Sequence, residues 1–467
     1  MGAMPPPAPA RLHALLDMLE AGLLERQTAV RLVLLAALAR EHVLVIGPPG
    51  TAKSELARRL HRAIAGARYF ERLLTRFSTP EELFGPLSLK ALEDDRYERL
   101  TDGFLPTAGV AFLDEVFKAN SAILNALLTL LNEREFDNGS GRERTPLVTV
   151  VGATNEIPGD EALQAFFDRF LVRVPVQPVG DTSFAALLHL DGNGTAEAAP
   201  LAEVERDAVT AAARAVVLGE AAEAACQTLR RWLAAQQLNV SDRRWRQWIG
   251  LMKVAAATEG RSEIDALDLW LAPYVAGAAP ADVPRLAAWF EAELIGAVPH
   301  DAPWLAHAVA AFEKQLEIEQ AAREDPDGAN AAGKLALARA IGGGEDERSM
   351  LRIVSSTLED KLRRRYSPVH VAARLAQIDE IAAHAREQHD AVAAHERDLA
   401  ARLEGRLWLP PELGARMVAA HAHTRCVLAA LTERLEAARN GFAALPLDGE
   451  AAAVAPAPVS LEATLPA

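Results

Sequence analysis

A glycine-rich loop over residues 47–54, with the sequence GPPGTAKS, carries the most specific chemical signal in the chain. A short apolar segment precedes it and a stretch with helical spacing follows it, which is the context of a phosphate-binding P-loop. In such a loop, backbone N–H groups cradle phosphate oxygens, the lysine contacts the β and γ phosphates, and the serine ligates Mg²⁺. The sequence therefore predicts a site for ATP and Mg²⁺, formed by Gly47, Pro48, Pro49, Gly50, Thr51, Ala52, Lys53, Ser54 and Glu55.

Two adjacent carboxylates follow a second apolar segment, which runs from Gly109 to Leu113. A buried strand here delivers Asp114 to the carboxyl edge of a parallel sheet, where the ligands of α/β proteins bind. Asp114 is therefore a predicted Mg²⁺ ligand beside Ser54, and Glu115 is the predicted catalytic residue that polarises the attacking water. An apolar strand followed by Asp-Glu is common by itself, so this interpretation depends on the P-loop upstream.

Three further polar residues have candidate roles in hydrolysis because of the elements next to them. Asn155 follows an apolar strand and can orient water against the γ phosphate, although a turn-forming asparagine is equally common there. Arg169 precedes another strand and is a candidate arginine finger for the nucleotide of a neighbouring subunit. Arg243, close to the helix cap Ser241, is a candidate contact for the γ phosphate, with Arg244 as the alternative.

Four apolar segments have the character of buried strands, and helical stretches separate them; they are 42–46, 110–113, 147–152 and 171–176. This alternation predicts an α/β fold with a mostly parallel sheet. Insertions at 84–100 and 134–146 are predicted hairpins that project from the sheet. We expect a nucleotide-binding core over 1–180, a connector over 181–200, a helical lid over 201–280, a helical arm over 300–442 with a linker near 323–345, and a disordered tail over 443–467.

The predicted arm contains two long helical segments. Apolar residues recur seven apart between 371 and 399, but His389 and Glu396 interrupt the second row of this seam. Prolines at 410 and 411 end the first segment, and apolar residues from Leu413 to Leu435 mark one face of the second. The pattern predicts a helical hairpin or bundle rather than a long autonomous coiled coil.

The composition of the 467 residues is that of a globular protein with more than one domain. The chain has 49 lysines and arginines against 64 aspartates and glutamates, and the net charge of -15 makes nucleic acid an unfavourable partner. Cys226 and Cys426 are too few for a disulfide framework. Because no segment has the length and apolarity of a signal peptide or a membrane span, we expect a cytoplasmic protein.

With these motifs in this order, the sequence resembles the AAA+ ATPases and, among them, the MoxR family, in particular its RavA-like branch. The resemblance extends from about Leu19 to Ala276. Ala52 stands where the general P-loop pattern has glycine, a departure that looks normal for that branch. The motifs that carry the resemblance are GPPGTAKS at 47–54, RFSTPEELFGPLS at 76–88, FLDEVFKANSAILNALLTLLNERE at 112–135 and VSDRRW at 240–245.

The resemblance implies a five-stranded AAA+ core, an all-α lid and a hexameric ring of subunits with ATP bound between neighbours. It also implies chaperone-like remodelling, maturation or activation of a protein complex, a partner with a von Willebrand factor A domain, and an unidentified protein client. It places Leu24 near the adenine. RavA-like proteins further carry a β-rich domain that binds a lysine decarboxylase, and no β-rich segment is evident between Gly333 and Tyr366 here.

Two other functions fit part of the pattern. Related ring ATPases act on nucleic acid, and arginines alternate with tryptophans at 230–232 and 243–248, as in surfaces that bind single strands. The alternative is that these tryptophans form the core of the lid. A scaffold that uses ATP only to lock a ring is the other possibility, and Glu115 and Arg169 argue against it. A metal site at His421 and His423 is not expected, because residues two apart do not share a helix face.

Overall fold

The computed structural model describes residues 5–139, 141–190, 198–296, 302–322, 364–449 and 454–460. The chain divides into two compact units. The first comprises Met1–Gly296 with Arg402–Ala415, and the second comprises Ala297–Ala401 with Arg416–Ala467. None of the helices in the described part of the chain is long and apolar enough to cross a membrane. The predicted linker near 323–345, and the stretch up to 363 in which no β-rich segment was evident, lie outside the described residues.

A parallel sheet of five strands forms the centre of the first unit, in the order β2-β3-β6-β1-β7, which confirms the predicted α/β core. β1 and β6 are buried along their whole length, so their sequences are almost continuous apolar runs. β2 lies at the edge of the sheet and is largely exposed, so it has no such run and was not predicted from the pattern. The strands up to this point are β1 (Val43–Ile46), β2 (Tyr69–Leu73), β3 (Val110–Asp114), β4 (Glu135–Asn138), β5 (Gly141–Arg144), β6 (Thr149–Thr154) and β7 (Val172–Pro175).

Helices pack against the sheet through apolar clusters, one of which joins Leu113 and Val150 of the strands to Leu127 of α6 and to Phe170. Asn120 caps α6, because its side chain accepts a hydrogen bond from the backbone N–H of Ile123. The helices of the core and its connector are α1 (Pro9–Glu20), α2 (Gln27–Leu38), α3 (Lys53–Arg62), α4 (Pro80–Phe84), α5 (Leu89–Glu93), α6 (Ser121–Glu133), α7 (Glu161–Phe167) and α8 (Asp181–Leu188).

The two insertions differ from each other. The one at 134–146 is the predicted antiparallel hairpin, in which β4 pairs with β5 from Glu135 opposite Arg144 to Asn138 opposite Gly141. The one at 84–100 contains the short helix α5 and is closed by a single antiparallel bridge between Leu87 and Arg99. Its sequence LKALE consists of good helix formers, which explains why a helix replaces the predicted hairpin strand.

The lid follows as a set of helices with one pair of two-residue strands, β8 (Val217–Leu218) and β9 (Glu263–Ile264). Ser241 caps α11 by accepting from the backbone N–H of Arg244 at 3.2 Å. Trp248 on the same helix is fully buried. The helices of this part are α9 (Glu203–Ala215), α10 (Glu220–Ala235), α11 (Asp242–Thr258), α12 (Ala272–Val275) and α13 (Asp282–Trp289), with a 3-10 turn over Ala266–Leu271.

Residues 402–415 belong to the first unit, although the sequence analysis assigned them to the arm. Leu407, Trp408 and Leu409 are buried, and the indole N–H of Trp408 donates to Thr258 Oγ1 at 2.8 Å. The guanidinium of Arg406 pairs with Asp268 at 2.8 Å. These contacts hold the segment on the end of α11 and the 3-10 turn, so the predicted boundary of the arm is wrong here.

The second unit contains α14 (Pro303–Ala321) and most of α15 (Pro368–Leu403) and α16 (Pro411–Ala443). The three helices share one apolar core with Phe312, Ile378 and Leu428, which confirms the predicted helical bundle. Glu319 is buried in this unit, where it accepts from the guanidinium of Arg374 at 3.0 Å.

Part of the tail that was predicted to be disordered is ordered against this second unit. The backbone N–H of Tyr366 donates to Pro446 O at 2.8 Å, and the N–H of Asp448 donates back to Tyr366 O at 2.9 Å. Arg374 donates to Ala457 O at 2.8 Å. The prediction is therefore wrong for these parts of the tail, because backbone pairing and a buried arginine fix a sequence whose composition alone is typical of disorder.

Candidate nucleotide site

The P-loop leaves the carboxyl end of β1 and opens α3, as its sequence predicted. Gly47 donates its N–H to Thr154 O at 3.0 Å and lies so close to β7 that a Cβ there would be 2.1 Å from Val176 O. Only glycine fits this approach. Thr51 is buried and its hydroxyl donates to Pro48 O at 2.9 Å, which closes the loop.

Ala52 adopts the left-handed conformation, with φ 64° and ψ 25°, immediately before α3. For a non-glycine residue this conformation costs about 1–2 kcal/mol, which is the physical reason for the glycine of the general P-loop pattern. The chain keeps the conformation with alanine, so the backbone N–H groups that follow still point into the loop.

A chain of side-chain contacts joins three of the predicted site residues. The Lys53 ammonium donates to Gly47 O at 2.6 Å, to Pro48 O at 2.9 Å and to Asn155 Oδ1 at 3.1 Å. The amide of Asn155 then donates to Glu115 Oε1 at 2.6 Å. Burial lowers the pKa of Lys53, and the negative charges of the two carboxylates of residues 114 and 115 oppose that shift. The structure therefore brings the predicted lysine, asparagine and glutamate together at the carboxyl edge.

Glu115 is held in place on both of its oxygens. Lys118 pairs with Oε2 at 3.2 Å while Asn155 binds Oε1. The backbone of Glu115 has φ 51°, a left-handed value that is uncommon for a residue with a side chain. Strain of this kind persists where surrounding contacts fix it and is concentrated at functional sites.

Asp114 and Ser54 lie where a magnesium ion bound to phosphates needs ligands. Asp114 ends β3 at the carboxyl edge, and one of its oxygens accepts the N–H of Glu115 at 3.0 Å. Ser54 is in the first turn of α3, directly after Lys53. A carboxylate and a hydroxyl are hard oxygen donors, so the donor set fits Mg²⁺. Glu55, also in this first turn, pairs with Arg59 at 2.9 Å.

The segment with Leu24 lies beside the P-loop, because its neighbour Arg26 donates to Thr51 O at 3.2 Å and also contacts Gln177 O. Leu24 itself is partly buried, and its contact with adenine stays a prediction. Arg26 is 6% exposed, and burial lowers its pKa. The sequence analysis did not identify Arg26 as a buried cation beside the P-loop. The one sequence feature that could have indicated it is its position between Leu24 and the start of a helix.

Arg169 lies at the opposite, amino edge of the sheet, directly before β7. β7 runs parallel to β1, with Val172 opposite Val43, so roughly 13 Å of strand separates this edge from the P-loop. The Nε atom of Arg169 is buried and has no hydrogen-bond partner in the described part of the chain. Its guanidinium is therefore not placed to serve the P-loop of the same chain.

Arg243 and Arg244 also lie at the amino edge. Arg243 donates to Asn132 Oδ1 at 3.1 Å, and Gln247 one turn later donates to Glu41 just before β1. Arg244 is 3% exposed and donates to the backbone oxygens of residues 170, 171 and 275. The structure therefore does not bring Arg243 to the P-loop of its own chain, and Arg244, the alternative candidate, holds the lid to the core.

The alternating arginines and tryptophans of the lid divide between its interior and its surface. Trp248 and Arg244 are buried, and Trp245 stacks on Trp248 with ring centroids 5.0 Å apart. Trp232 packs near Trp289 at 6.1 Å. The tryptophans therefore pack within the lid, as the alternative to nucleic-acid binding expected, whereas Arg230, Arg231 and Arg246 are exposed. Among the described residues, no group of three or more metal-binding side chains is found.

A P-loop, a carboxylate pair and a following asparagine lie at one edge of a five-stranded parallel sheet, and a helical lid is joined to that sheet. Together they define a P-loop ATPase of the AAA+ class.

Comparison with known proteins identifies the family within this class. Residues 10–212 match the model described as the MoxR domain in the MoxR-vWA-beta-propeller ternary systems, and residues 224–290 match that of the AAA lid domain. Two Methanocaldococcus jannaschii proteins, MJ0079 and MJ0812, are each 39% identical, over 57% and 55% of this chain and 70% and 69% of their own. Protein MoxR of Paracoccus denitrificans is 33% identical over 32% of this chain and 44% of its own. The chain belongs to the MoxR family of AAA+ ATPases.

Proposed function

We propose that the chain hydrolyses ATP with Mg²⁺ and couples the hydrolysis to the remodelling, maturation or activation of a protein complex. The observation that carries the catalytic part is the contact chain from Lys53 through Asn155 to Glu115 at the P-loop. A general base must lie within reach of the water that it activates, and its carboxylate must be oriented in advance. Asn155 and Lys118 provide that orientation for Glu115.

Triphosphate binding would change this contact chain at one point. The Lys53 ammonium now donates to two carbonyls of the loop, and phosphate oxygens would replace these as acceptors. Asn155 and Glu115 would then lie beside the γ phosphate, one to orient the attacking water and the other to take its proton. Ser54 and Asp114 would hold Mg²⁺, which would supply positive charge against the phosphates.

The proposed active form is a ring, with a hexamer as the expected state, in which Arg169 acts on the nucleotide of a neighbour. The position of Arg169 at the edge opposite its own P-loop supports this, as does its buried Nε atom, which has no hydrogen-bond partner within the described ranges. Arg243, also at this edge, would then report the neighbour's γ phosphate to the lid. An arginine finger contributes on the order of 10³ to 10⁵ in rate.

The proposed partners are a protein with a von Willebrand factor A domain and an unidentified client. The first is supported by the matching family model, which describes MoxR domains in systems that contain vWA proteins. Membership of the RavA-like branch and a cytoplasmic location remain predictions. A purified vWA-domain partner should change the ATP turnover of the full chain when it is added, and the two proteins should co-elute in size-exclusion chromatography. The absence of both effects would count against this partner.

Mixed rings test the catalytic and ring proposals together. Glu115→Gln and Arg169→Ala should each form rings in ATP and each lose turnover. Co-expressed in one cell, they should recover part of the turnover, because some interfaces combine an intact Glu115 with an intact Arg169. Arg62→Ala, a change at an exposed arginine of α3, is the control and should keep wild-type turnover. Mixed rings that stay inactive would contradict action across the interface.

A further inference from the structure

The amino edge of the sheet, opposite the P-loop, contains a cavity of about 580 Å³. The cavity lies under the starts of β2, β3 and β6 and is bordered by the β4-β5 hairpin and by α9. Five arginines from four segments line it, and the acidic residues in its lining, among the described part of the chain, are Glu143 and Glu203. The five arginines are Arg40, Arg68, Arg134, Arg144 and Arg206. This positive cavity occurs in a chain whose net charge is -15.

We propose that this cavity binds an acidic segment of a protein partner, with carboxylates paired to the arginines. The volume is well above that of a single small anion, and the cations are spread over four segments rather than gathered round one point. Phe136, Pro106 and Pro146 add apolar walls between them. Such a lining fits acidic side chains spaced along a peptide with an apolar residue among them.

Two of the arginines occupy backbone positions that favour glycine. Arg40 follows the end of α2 with φ 57°, and Arg134 ends α6 with φ 54°. Each pays about 1–2 kcal/mol for this conformation. The guanidinium of Arg134 donates to the carbonyl oxygens of Leu147 and Arg40, which is one structural reason for an arginine at this position. Among the described residues, the ion pair found for Arg40 is an exposed one with Asp207 at 3.0 Å, and this pair does not account for an arginine rather than a glycine at a left-handed position.

Arg40 contributes to the electrostatics of two other arginines of the cavity. Burial lowers the pKa of Arg134 to about 10, with Glu41 opposing and the nearby Arg40 adding to the shift. Burial also lowers the pKa of Arg206, where Glu203, Asp207 and Glu205 oppose the shift and Arg40 adds to it. Arg40 therefore repels both Arg134 and Arg206, and a bound carboxylate beside it would offset that repulsion.

The remaining arginines are available to a ligand. Arg68 pairs with Asp102, but both side chains are largely exposed, and such surface pairs are worth only about 0–1 kcal/mol, so a ligand can replace them. Arg144 is exposed and no ion pair of its side chain is found among the described residues. Glu143, the residue before Arg144, has one carboxylate oxygen that accepts a hydrogen bond from the amide of Asn138 at 3.2 Å.

Fluorescence anisotropy with a labelled peptide of glutamates, aspartates and one leucine tests the proposal on the full chain. The acidic peptide should bind, and the same peptide with Gln and Asn should not. Arg144→Glu should weaken binding about tenfold, the loss expected for one charge-assisted contact. Arg230→Glu, at an exposed arginine of the lid, should leave binding within about twofold. Neither change touches the nucleotide site, so ATP turnover without peptide should be unchanged in both.

Three results would overturn the proposal. The first is equal affinity of the acidic peptide for the wild type and Arg144→Glu, and the second is no binding of the peptide at all at low salt. The third is that single-stranded RNA, and not the peptide, binds in a way that depends on Arg144, which would make the cavity a nucleic-acid site.

Discussion

The attachment of residues 402–415 to the lid yields the most quantitative prediction. Arg406 is 6% exposed on its side chain and pairs with Asp268 at 2.8 Å, with Asp265, and with Glu259 at 3.7 Å. Replacing it by methionine keeps most of the apolar stem and removes the charge. Arg261 alone would then pair with Glu259 and Asp268, two carboxylates that are almost fully buried.

The expected cost follows from breaking a buried ion pair by removing one partner, which is about 3–5 kcal/mol. We expect this cost to appear as easier opening of the segment, which the buried side chains of Leu407, Trp408 and Leu409 also hold in place. The backbone N–H groups of Leu407 and Trp408 both donate to Glu259 Oε1, at 2.8 Å and 3.2 Å, so their protection from exchange reports this opening. The opening equilibrium should therefore rise by about 10² to 10⁴.

Native-state hydrogen exchange on peptides that cover 402–415 measures this opening. In Arg406→Met the amides of residues 407 and 408 should lose about two to four orders of magnitude of protection. Arg402→Met is the matched control, because Arg402 is 35% exposed and 3.8 Å from Asp265, a surface pair worth at most about 1 kcal/mol. Unchanged protection in Arg406→Met, or an equal loss in both variants, would refute the reasoning.

Three more predictions concern the core. Gly47→Ala should abolish ATP binding in an equilibrium binding assay, because the added Cβ would lie 2.1 Å from Val176 O. Ala52→Gly should keep ATP binding, because glycine removes the cost of the left-handed backbone conformation. Normal ATP binding by Gly47→Ala would contradict this. Asn155→Ala should lower turnover by about 10² with nucleotide affinity changed less than about threefold, because it frees Glu115; an unchanged turnover would argue against its role. Burial raises the pKa of Glu41 to about 7, so its contribution to stability is complete below the unfolded pKa near 4.5 and is lost as the pH rises to about 7. The melting temperature of Glu41→Gln relative to the wild type should therefore be higher at pH 8 than at pH 5, and a constant difference would refute the assignment.

The parts of the site that follow one another in the chain could be predicted from the sequence. The P-loop and the pair Asp114-Glu115 each consist of a buried apolar strand followed by reactive residues, so local pattern and topology both place them at the same edge. Asn155 was found in the same way. The helical bundle of the second unit was also predictable, because its apolar spacing extends over many turns.

The rest depends on contacts between distant residues. β2 is a largely exposed edge strand with no apolar run. The packing of residues 402–415 on the lid depends on carboxylates about 140 positions earlier in the chain, and Arg406 donates a hydrogen bond to Asp268 across 138 positions. The sequence also gave no sign of which edge of the sheet Arg243 would occupy, because that is set by the packing of the lid through Arg244. The arginine-lined cavity collects residues from five segments, none of which forms a motif.

ATP turnover per chain, measured with Mg²⁺ over a range of protein concentrations for the wild type and Glu115→Gln, tests the central claim most directly. The account predicts that turnover per wild-type chain rises with concentration to a plateau as rings form, and that Glu115→Gln, which still binds ATP, is lower by at least about 10² throughout. Turnover that is independent of concentration, or that survives in Glu115→Gln, would contradict hydrolysis at this site between subunits.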